Sequence, residues 1–449
     1  METKEYDLIV IGTGSAGSVA AVKCNEAGWK VAMIDEKPYG GTCALRGCDP
    51  KKVLVGAAEL VDWNKRMDGH GIDEDTAINW QDLMKFKRTF TSSVPEKKEA
   101  GLNKRGIDTY HGKASFHSET VIKVDEEVLK GKHILLATGS QPATLGIDGE
   151  EYFTHSDEFL EMDQLPERIL FVGGGYISFE FAHVAARAGA EVHILHRGSR
   201  PLENFDADLV DLLMQKSKEV GIHVHLNTSV TSIEKQDQSF TVKADQKGTE
   251  KAWSADLVVH GAGRVPALDM NLEQGNVERE KQGVIVNEYL QSVSNPHVYA
   301  AGDVAATAGP PLTPMASTES HVVASNLLNG NHKNVDYPVV PSVVFTIPKM
   351  ASAGMSEQEA KDSGINVEVN HQEMAGWYTY KRTNESYAAF KIITNKDNGL
   401  ILGAHLISGE ADELINHFAM AIQFKIPINE LKQMIFAYPT SASDIAHML

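Results

Sequence analysis

Apolar and polar positions along the chain predict strands that alternate with helices. An apolar run at 6–11 is followed by a glycine-rich loop, a helical stretch and a second apolar run at 31–34. The same order recurs over 168–195, again with glycines between the first strand and the helix. Short, wholly apolar runs are typical of strands buried on both faces of a parallel sheet. The pattern therefore predicts two βαβ units in one chain.

The pattern changes after Pro338. Strand-like runs at 388–393 and 401–407 precede two helical stretches, an order typical of an antiparallel α+β segment. We predict an α/β fold with two Rossmann-like, doubly wound, three-layer dinucleotide-binding domains and a C-terminal α+β domain. The expected boundaries are 1–150 for the first dinucleotide-binding domain, 151–264 for the second, 265–336 for a return to the first, and 337–449 for the C-terminal domain.

Composition narrows the classes of partner. The 449 residues include 42 basic and 61 acidic side chains, a net charge of −19. This charge argues against nucleic acid or an anionic membrane surface as a partner. No apolar run reaches the roughly 18 residues of a membrane-spanning helix. The acidic start of the chain lacks the features of a secretory signal, so we expect a cytoplasmic protein.

The first glycine loop predicts a dinucleotide site. In Gly12-x-Gly14-x-x-Gly17 the first glycine permits a tight turn, the second lets the backbone approach a pyrophosphate, and the third lets the helix pack on the strand. Asp35 ends the following strand, where a carboxylate can accept ribose hydroxyls. A plain turn would not explain the strand, the three glycines and the acidic residue together.

The second loop, Gly173-Gly174-Gly175, predicts a second dinucleotide site. No acidic residue ends its following strand; Arg197 comes there instead, with Arg200 close by. Arginine favours a 2′-phosphate, whereas a carboxylate would favour a free 2′-hydroxyl. We therefore expect NADPH in preference to NADH, although Glu203 weakens the argument.

Cys43 and Cys48 are two of only three cysteines in the chain. Metal binding would need further ligands, and no second cysteine pair or nearby histidine cluster supplies them. Buried inert thiols would not explain the glycine-rich and Pro-Lys-Lys flanks. Redox exchange fits better, because a helix predicted to begin near Cys48, together with Lys51, would stabilise a thiolate. Cys24 is interpreted as a packed core residue.

At these residues the chain resembles the class I pyridine nucleotide–disulfide oxidoreductases, the family of glutathione reductase, dihydrolipoamide dehydrogenase and mercuric reductase. The motif over 41–51 is highly specific, and its double lysine is most similar to that of glutathione reductase. Further segments resemble family motifs: Ala137-Thr138-Gly139, Gly261–Pro266, Ala301-Gly302-Asp303, Leu312-Thr313-Pro314 and Val343–Thr346.

The resemblance implies a homodimer that binds FAD and NADPH, with 337–449 as its dimerisation domain. Cys48 would take electrons from the flavin, and Cys43 would attack a substrate disulfide. Lys51 would pair with Glu180 near the flavin. The residues expected to contact FAD are Gly12, Gly14, Ser15, Gly17, Asp35, Glu36, Gly41, Thr42, Lys51, Thr138, Gly139, Gly302, Asp303 and Thr313. Those expected to contact NADPH are Gly173, Gly175, Tyr176, Ile177, Glu180, Arg197, Arg200 and Gly263, with the Tyr176 ring covering the nicotinamide pocket.

The chain departs from the family where the partner subunit should supply a general acid–base. The disulfide reductases carry a His-Pro-Thr segment with a glutamate five residues after the histidine. Here Tyr438 replaces the histidine and Ser443 the glutamate, and Asp444 is not assumed to substitute. A tyrosine with its ordinary pKa of about 10 can donate a proton but is a poor base at neutral pH.

Two more departures bear on the substrate. Mercuric reductases also carry tyrosine near this place but end in a cysteine pair, and this sequence stops at Leu449 without one, which argues against mercury reduction. Val22 and His321 fall where glutathione reductases supply arginines to the substrate. We therefore do not expect glutathione disulfide as the substrate.

Three functions remain open on the sequence. The leading hypothesis is an FAD-containing, NADPH-dependent reductase of a low-molecular-weight or protein disulfide, with Cys43, Cys48, Lys51, Glu180 and Tyr438 as catalytic residues and no metal. The second is a flavin reductase of quinones, metal ions or oxygen that needs no substrate disulfide. The third is a non-catalytic flavin redox sensor.

Overall fold

The structure is a computed structural model that describes residues 3–73 and 76–449. Its helices are α1 (Ser15–Glu26), α2 (Gly41–Arg46), α3 (Cys48–Arg66), α4 (Trp80–Thr91), α5 (Val94–Lys104), α6 (Ser156–Phe159), α7 (Tyr176–Arg187), α8 (Ala207–Glu219), α9 (Thr313–Asn329), α10 (Glu357–Asp362), α11 (Tyr378–Lys381), α12 (Ala411–Gln423), α13 (Ile428–Leu431) and α14 (Ile445–Met448).

The first twelve strands lie within residues 4–246. They are β1 (Lys4–Ile11), β2 (Val31–Asp35), β3 (Asp108–His111), β4 (Ala114–Ser118), β5 (Val121–Val124), β6 (Glu127–Leu136), β7 (Ser140–Pro142), β8 (Arg168–Val172), β9 (Glu191–Leu195), β10 (Ile222–His225), β11 (Thr228–Gln236) and β12 (Ser239–Gln246). The others are β13 (Thr249–Ala255), β14 (Leu257–His260), β15 (Arg264–Pro266), β16 (Arg279–Glu280), β17 (Gly283–Ile285), β18 (Val298–Ala300), β19 (Ala305–Ala306), β20 (Ser342–Val344), β21 (Lys349–Gly354), β22 (Val367–Glu373), β23 (Ala389–Asn395) and β24 (Ile401–Ser408).

The chain divides into two compact units. The first comprises residues 1–51, 85–143 and 264–337, and the second comprises 52–84, 144–263 and 338–449. The domain boundaries expected from the sequence remain predictions.

The first unit is built on a sheet in the order β3-β2-β1-β6-β5-β4, with β18 also pairing with β6. Strand β1 runs parallel to both β2 and β6. Alternate residues of β1 enter two different cores: Leu8 and Val10 pack with α1 and α9, whereas Ile9 and Ile11 pack with side chains such as Met270. Burial on both faces explains why this strand is wholly apolar.

The second unit contains a parallel sheet in the order β10-β9-β8-β14 and an antiparallel meander β11-β12-β13. Phe171 and Ile194 of the parallel sheet pack against α7 and α8, whereas Leu170 packs against the meander through residues such as Val242. The two faces of β8 are therefore both covered, as in a doubly wound unit.

The same unit carries a five-stranded antiparallel sheet in the order β20-β21-β24-β23-β22. Helix α12 covers one face, where Leu414 and Phe418 pack with Leu406 and Ala351. The predicted fold class is confirmed: α/β, with two Rossmann-type dinucleotide-binding folds and a C-terminal α+β domain. Among the described residues, no helix combines the length and hydropathy needed to cross a membrane.

Candidate active site

The first glycine loop folds as a crowded turn from β1 into α1. Gly12 has a φ of +107°, and a Cβ there would lie 2.2 Å from the Ala137 carbonyl oxygen. A Cβ on Gly17 would lie 2.1 Å from the Gly12 carbonyl oxygen. Neither position can accept a side chain without moving the backbone. The loop therefore holds its shape through contacts that only glycine permits.

The N-terminus of α1 has the geometry of an anion-binding site. Gly14 is its N-cap and supplies no side-chain hydrogen bond to the first turn, where Ser15 is the first helical residue. Amide groups of a first turn without a side-chain cap are oriented to bind a pyrophosphate. This geometry fits the diphosphate of the FAD expected from the sequence.

Asp35 is fixed at the end of β2. Its Oδ2 accepts hydrogen bonds from the Thr13 amide at 2.9 Å and the Thr13 hydroxyl at 2.6 Å, and its Oδ1 accepts one from the Lys37 amide at 2.9 Å. A carboxylate oxygen can accept a further hydrogen bond, so ribose hydroxyls can still be bound. Glu36, the next expected contact, is exposed.

The cysteines lie on two successive helices that follow β2. Cys43 lies in the short helix α2, and Cys48 opens α3 as expected. Gly41, at a φ of +74°, leaves no room for a side chain, because its Cβ would lie 2.4 Å from the Gly14 Cα. The start of α2 therefore contacts the first glycine loop backbone to backbone. Cys24 is buried within α1, which confirms its interpretation as a core residue.

The two thiols differ in acidity. A hydrogen bond from the Cys43 thiol lowers the pKa of Cys48 to about 6, and the Thr313 hydroxyl, with Sγ and Oγ1 3.7 Å apart, and the charge of Lys51 contribute in the same direction. The same hydrogen bond, together with burial, raises the pKa of Cys43. Near neutral pH the thiolate is therefore on Cys48 and the proton on Cys43.

Lys52 forms an ion pair with Asp412 at 3.3 Å.

The acidity of Cys48 gives a pH-dependent prediction. In reduced protein, alkylation of Cys48 by iodoacetamide should be half-maximal near pH 6, because the thiolate is present above its pKa and is lost as the pH falls through it. Cys43→Ala should raise this midpoint, since it removes the strongest stabilising hydrogen bond. The measurement is the alkylation rate of the Cys48 peptide between pH 4 and 10, by mass spectrometry. A midpoint near the ordinary thiol pKa of about 8.5 in the wild type would contradict the assignment.

A chain of polar contacts holds the other residues expected near FAD. The Thr138 hydroxyl donates to the Ala267 carbonyl at 2.8 Å, and the Ser140 hydroxyl donates to Asp303 Oδ2 at 2.9 Å. Arg264 donates to the Ser140 hydroxyl at 3.0 Å. The Asp303 carboxylate is thus bound to Ser140, which follows Thr138 and Gly139 on a segment where flavin contacts were expected.

Glu319 of α9 is a buried residue that the sequence reasoning missed. Its carboxylate accepts hydrogen bonds from the Gly302 amide at 2.6 Å, the Thr307 hydroxyl at 2.8 Å and the Tyr337 hydroxyl at 3.0 Å. It therefore fixes the turn that precedes Asp303. Glu319 is the one acidic residue of α9, which was the available signal.

The second glycine loop has the same form in the second unit. Gly173 has a φ of +107°, and a Cβ there would lie 2.3 Å from the Gly261 carbonyl oxygen. A Cβ on Gly174 would lie 2.7 Å from the His196 ring, whereas one on Gly175 would make only an ordinary contact. Gly175 is the N-cap of α7, with no side-chain cap. The arrangement fits a second dinucleotide, and Gly174 was missing from the residues expected to matter.

His196 joins this loop to the arginines expected to bind the nucleotide. Its Nδ1 accepts a hydrogen bond from the Gly174 amide at 3.1 Å, so its Nε2 carries the proton and donates to the Arg200 carbonyl at 2.9 Å. The Arg200 guanidinium donates to the Glu203 carbonyl at 3.3 Å, and Arg197 is exposed.

Three further residues were expected beside the nicotinamide nucleotide. Tyr176 is 53% exposed at the start of α7, and Ile177 follows it half-buried. Gly263, with a φ of +115°, follows β14.

Helix α7 carries three buried residues with ionisable side chains. Glu180 accepts a hydrogen bond from the Phe345 amide at 2.8 Å, and His183 accepts one from the Ile347 amide at 3.2 Å. Burial lowers the pKa of His183 well below its usual value, so the imidazole is neutral. The expected Lys51–Glu180 pair remains a prediction.

Arg187, the third of these residues, reaches Asp62 of α3. Its guanidinium lies 2.6 Å from Asp62 Oδ1 and also donates to the Ile347 carbonyl at 3.0 Å. Arg66 and Lys216 approach the same carboxylate at 2.8 Å and 3.5 Å. One buried carboxylate thus faces three cations.

The C-terminal segment presents Tyr438 to solvent. Its side chain is 85% exposed, and the neighbouring Ile435 is 98% exposed. The Ser443 hydroxyl accepts a hydrogen bond from the Thr440 amide and donates one to the Thr440 carbonyl. The exposed His447 packs its ring edge-on against Trp377. Val22 is half-buried and His321 is exposed. An exposed aromatic segment of this kind is available to a second subunit.

Comparison with known proteins identifies the family. Residues 6–320 match the model described as pyridine nucleotide-disulphide oxidoreductase, and residues 340–449 match its dimerisation domain. The chain is 32% identical to a mercuric reductase of Staphylococcus aureus over 98% of this chain and 81% of the relative. It is 31% identical to a glutathione reductase of Burkholderia cepacia over 99% of this chain and 98% of the relative.

A solved structure shows the same fold. The C43S mutant of the HOCl-induced flavoprotein disulfide reductase RclA from Escherichia coli, solved as a Cu(II) complex, aligns with a TM-score of 0.88 over 99% of both chains at 26% identity. Members of this family are NAD(P)H-dependent flavoproteins that form homodimers through the dimerisation domain. The chain therefore belongs to the pyridine nucleotide-disulphide oxidoreductases, as a flavoprotein enzyme that uses FAD and a pyridine nucleotide.

Proposed function

We propose that this protein is an NADPH-dependent reductase of low-molecular-weight or protein disulfides, with the active site shared between two subunits. The observation that carries the proposal is the Cys43/Cys48 pair on the successive helices α2 and α3, where a hydrogen bond between the thiols lowers the pKa of Cys48 and raises that of Cys43. Such a pair supports sequential thiol–disulfide exchange.

The exchange has two steps. Cys43 attacks one sulfur of the substrate and its proton passes to the leaving sulfur, so that a mixed disulfide forms and the first thiol is released. The Cys48 thiolate then attacks the Cys43 sulfur, which forms the Cys43–Cys48 disulfide and releases the second product as a thiolate. When bound, FAD supplies the two electrons that pass from NADPH to this disulfide.

Tyr438 of the partner subunit limits which disulfides can be reduced. A phenol can donate a proton to a leaving thiolate but is a poor base at neutral pH. A substrate whose leaving thiol is acidic departs without such help. We therefore propose a disulfide with at least one acidic thiol as the substrate, and not glutathione disulfide.

The choice of NADPH rests on charge. Arg197 and Arg200 follow β9, and no acidic residue ends that strand. Hydrogen bonds to a charged group contribute about 1.5–3 kcal/mol, which corresponds to about a tenfold to hundredfold preference for the phosphorylated nucleotide.

The test is a steady-state assay that pairs NADPH or NADH with aromatic disulfides, dialkyl disulfides, a benzoquinone and Cu(II). We expect aromatic disulfides to be reduced at least about 100-fold faster than dialkyl disulfides, since a general acid–base contributes about 10²–10⁴-fold where it is present. We also expect kcat/KM to favour NADPH. Equal rates for the two disulfide classes, or no disulfide turnover, would contradict the proposal.

A second candidate is reduction of a metal ion or quinone. The absence of the family histidine favours it, and the similar RclA structure is a Cu(II) complex. In the same assay this function requires turnover of Cu(II) or quinone that persists in Cys43→Ser.

A further inference from the structure

Three histidines and a glutamate lie together on the sheet of the second unit. Glu191 and His193 belong to β9, and His223 and His225 belong to β10, which is the edge strand of its sheet. The parallel register pairs His223 with His193. Because residues two apart share a face of a strand, all four side chains lie on one face.

The rings of His193 and His225 meet nitrogen to nitrogen. His193 Nδ1 and His225 Nε2 are 3.0 Å apart, with ring centroids 5.3 Å apart and planes 14° apart. The other nitrogen of His193, Nε2, lies 3.1 Å from Glu191 Oε1. The His223 ring stacks against His193 at 5.0 Å, and His223 is exposed.

The hydrogen bonds define which nitrogens carry protons. His193 donates from Nε2 to Glu191, so its Nδ1 is an acceptor that faces a proton on His225 Nε2.

From this geometry we propose a binding site for a divalent transition metal that prefers imidazole, such as Cu(II), Ni(II) or Zn(II). His193 Nδ1 and His225 Nε2 are the first two ligands, and the exposed His223 supplies the third by rotation of its side chain. Metal–imidazole bonds of about 2.0–2.1 Å at a tetrahedral angle place two nitrogens ~3.4 Å apart, a few tenths of an ångström beyond the distance seen here. Binding displaces the proton from His225 Nε2, and His225 takes the tautomer protonated at Nδ1, so that the ligand stays a neutral imidazole.

Glu191 has the role of an orienting carboxylate. Histidines that bind metals usually donate the second ring N–H to a carboxylate or carbonyl, which fixes the ring and makes the ligand nitrogen more basic. Glu191 already makes this contact with His193. The site contains none of the residues proposed to reduce a disulfide, so it is a separate function of the second unit.

A carboxylate cluster elsewhere in the second unit differs from the histidine cluster because it already holds a cation. Asp206, Asp208 and Glu357 converge, but the Lys391 ammonium lies 2.8, 2.5 and 3.0 Å from them. A lysine thus neutralises that cluster, whereas the facing nitrogens of His193 and His225 contact each other.

The test uses untagged, FAD-loaded protein carrying Cys43→Ser and Cys48→Ser, so that thiols do not compete for metal. Titration with Ni(II) by isothermal calorimetry measures stoichiometry and affinity. Cu(II) gives a second readout, because the Trp253 ring lies 5.2 Å from the His225 ring and its emission should be quenched by the bound ion.

We expect one equivalent of Ni(II) in this parent, at least 100-fold weaker binding in His193→Gln and His225→Gln, and 10- to 100-fold weaker binding in Glu191→Gln. His117→Gln, at an exposed histidine of β4, is the matched control and should bind as the parent does. Trp253→Phe should keep the metal and lose the Cu(II)-dependent quenching. Unchanged binding in His193→Gln, or quenching that persists in Trp253→Phe, would overturn the proposal.

Discussion

Cys43→Ser should abolish reduction of disulfides while the Cys48 thiolate remains. Serine cannot form the mixed disulfide, so we expect turnover to fall at least about 10³-fold. Cys48 keeps the contacts of Thr313 and Lys51, which also favour its thiolate. A thiolate beside an oxidised flavin gives a long-wavelength charge-transfer absorption. That band should therefore persist in Cys43→Ser.

Cys48→Ser differs from Cys43→Ser in its effect on the charge-transfer band. It should lose both turnover and the charge-transfer band, because the anionic sulfur itself is removed. Cys24→Ala is the matched control, since Cys24 is a buried cysteine of α1 and should retain both. The measurements are NADPH consumption with an aromatic disulfide and the visible spectrum after reduction by two electrons. A band that survives Cys48→Ser, or disulfide turnover that survives Cys43→Ser, would refute the directed pair.

Asp62→Ala should destabilise the region around α7 by about 3–5 kcal/mol. The change leaves three cations without their carboxylate, among them Arg187, whose side chain is 3% exposed. Removing one partner of a buried charge pair has a cost of this size, because the other charge stays buried and unpaired. Burial alone would raise the pKa of Asp62, but Arg187, Lys216 and Arg66 lower it to about 2. The stabilisation is thus present above the ordinary carboxyl pKa of about 3.9 and is lost as the pH falls through 2.

Native-state hydrogen exchange of the α7 amides measures this effect locally. A loss of 3 kcal/mol or more should speed their exchange at least about 100-fold. Glu219→Gln is the control: it removes a carboxylate of the same network at its solvent edge, where the Glu219 side chain is 52% exposed and lies 2.8 Å from Lys216. We expect about 1 kcal/mol or less there. Equal exchange in the two variants would show that the buried pair does not stabilise the helix.

Local patterns in the sequence were sufficient for several features. The strand–glycine–helix units, the start of α3 at Cys48 and the burial of Cys24 all follow from residues within about 20 positions of one another. In each case the requirement is local: a glycine for a positive φ, or an apolar run for a buried strand.

The contacts that hold the sites could not be predicted in this way. Glu180, His183 and Arg187 are polar positions of α7 that would ordinarily face water. They are buried because their partners come from distant parts of the chain, such as Asp62 and the Phe345 amide. Likewise, nothing near Glu319 in the sequence shows that it binds the Gly302 amide. Such pairings are fixed by the folded topology alone.

The exposure of Tyr438 has a consequence for how enzymes of this kind diversify. A side chain that is 85% exposed on its own subunit contributes little to folding, so the position can change at small cost in stability. Gly41 and Gly14, by contrast, touch through their backbones and tolerate no side chain at Gly41. Selection for a new electron acceptor can therefore act on the C-terminal segment first, while the thiols and the nucleotide loops are inherited unchanged.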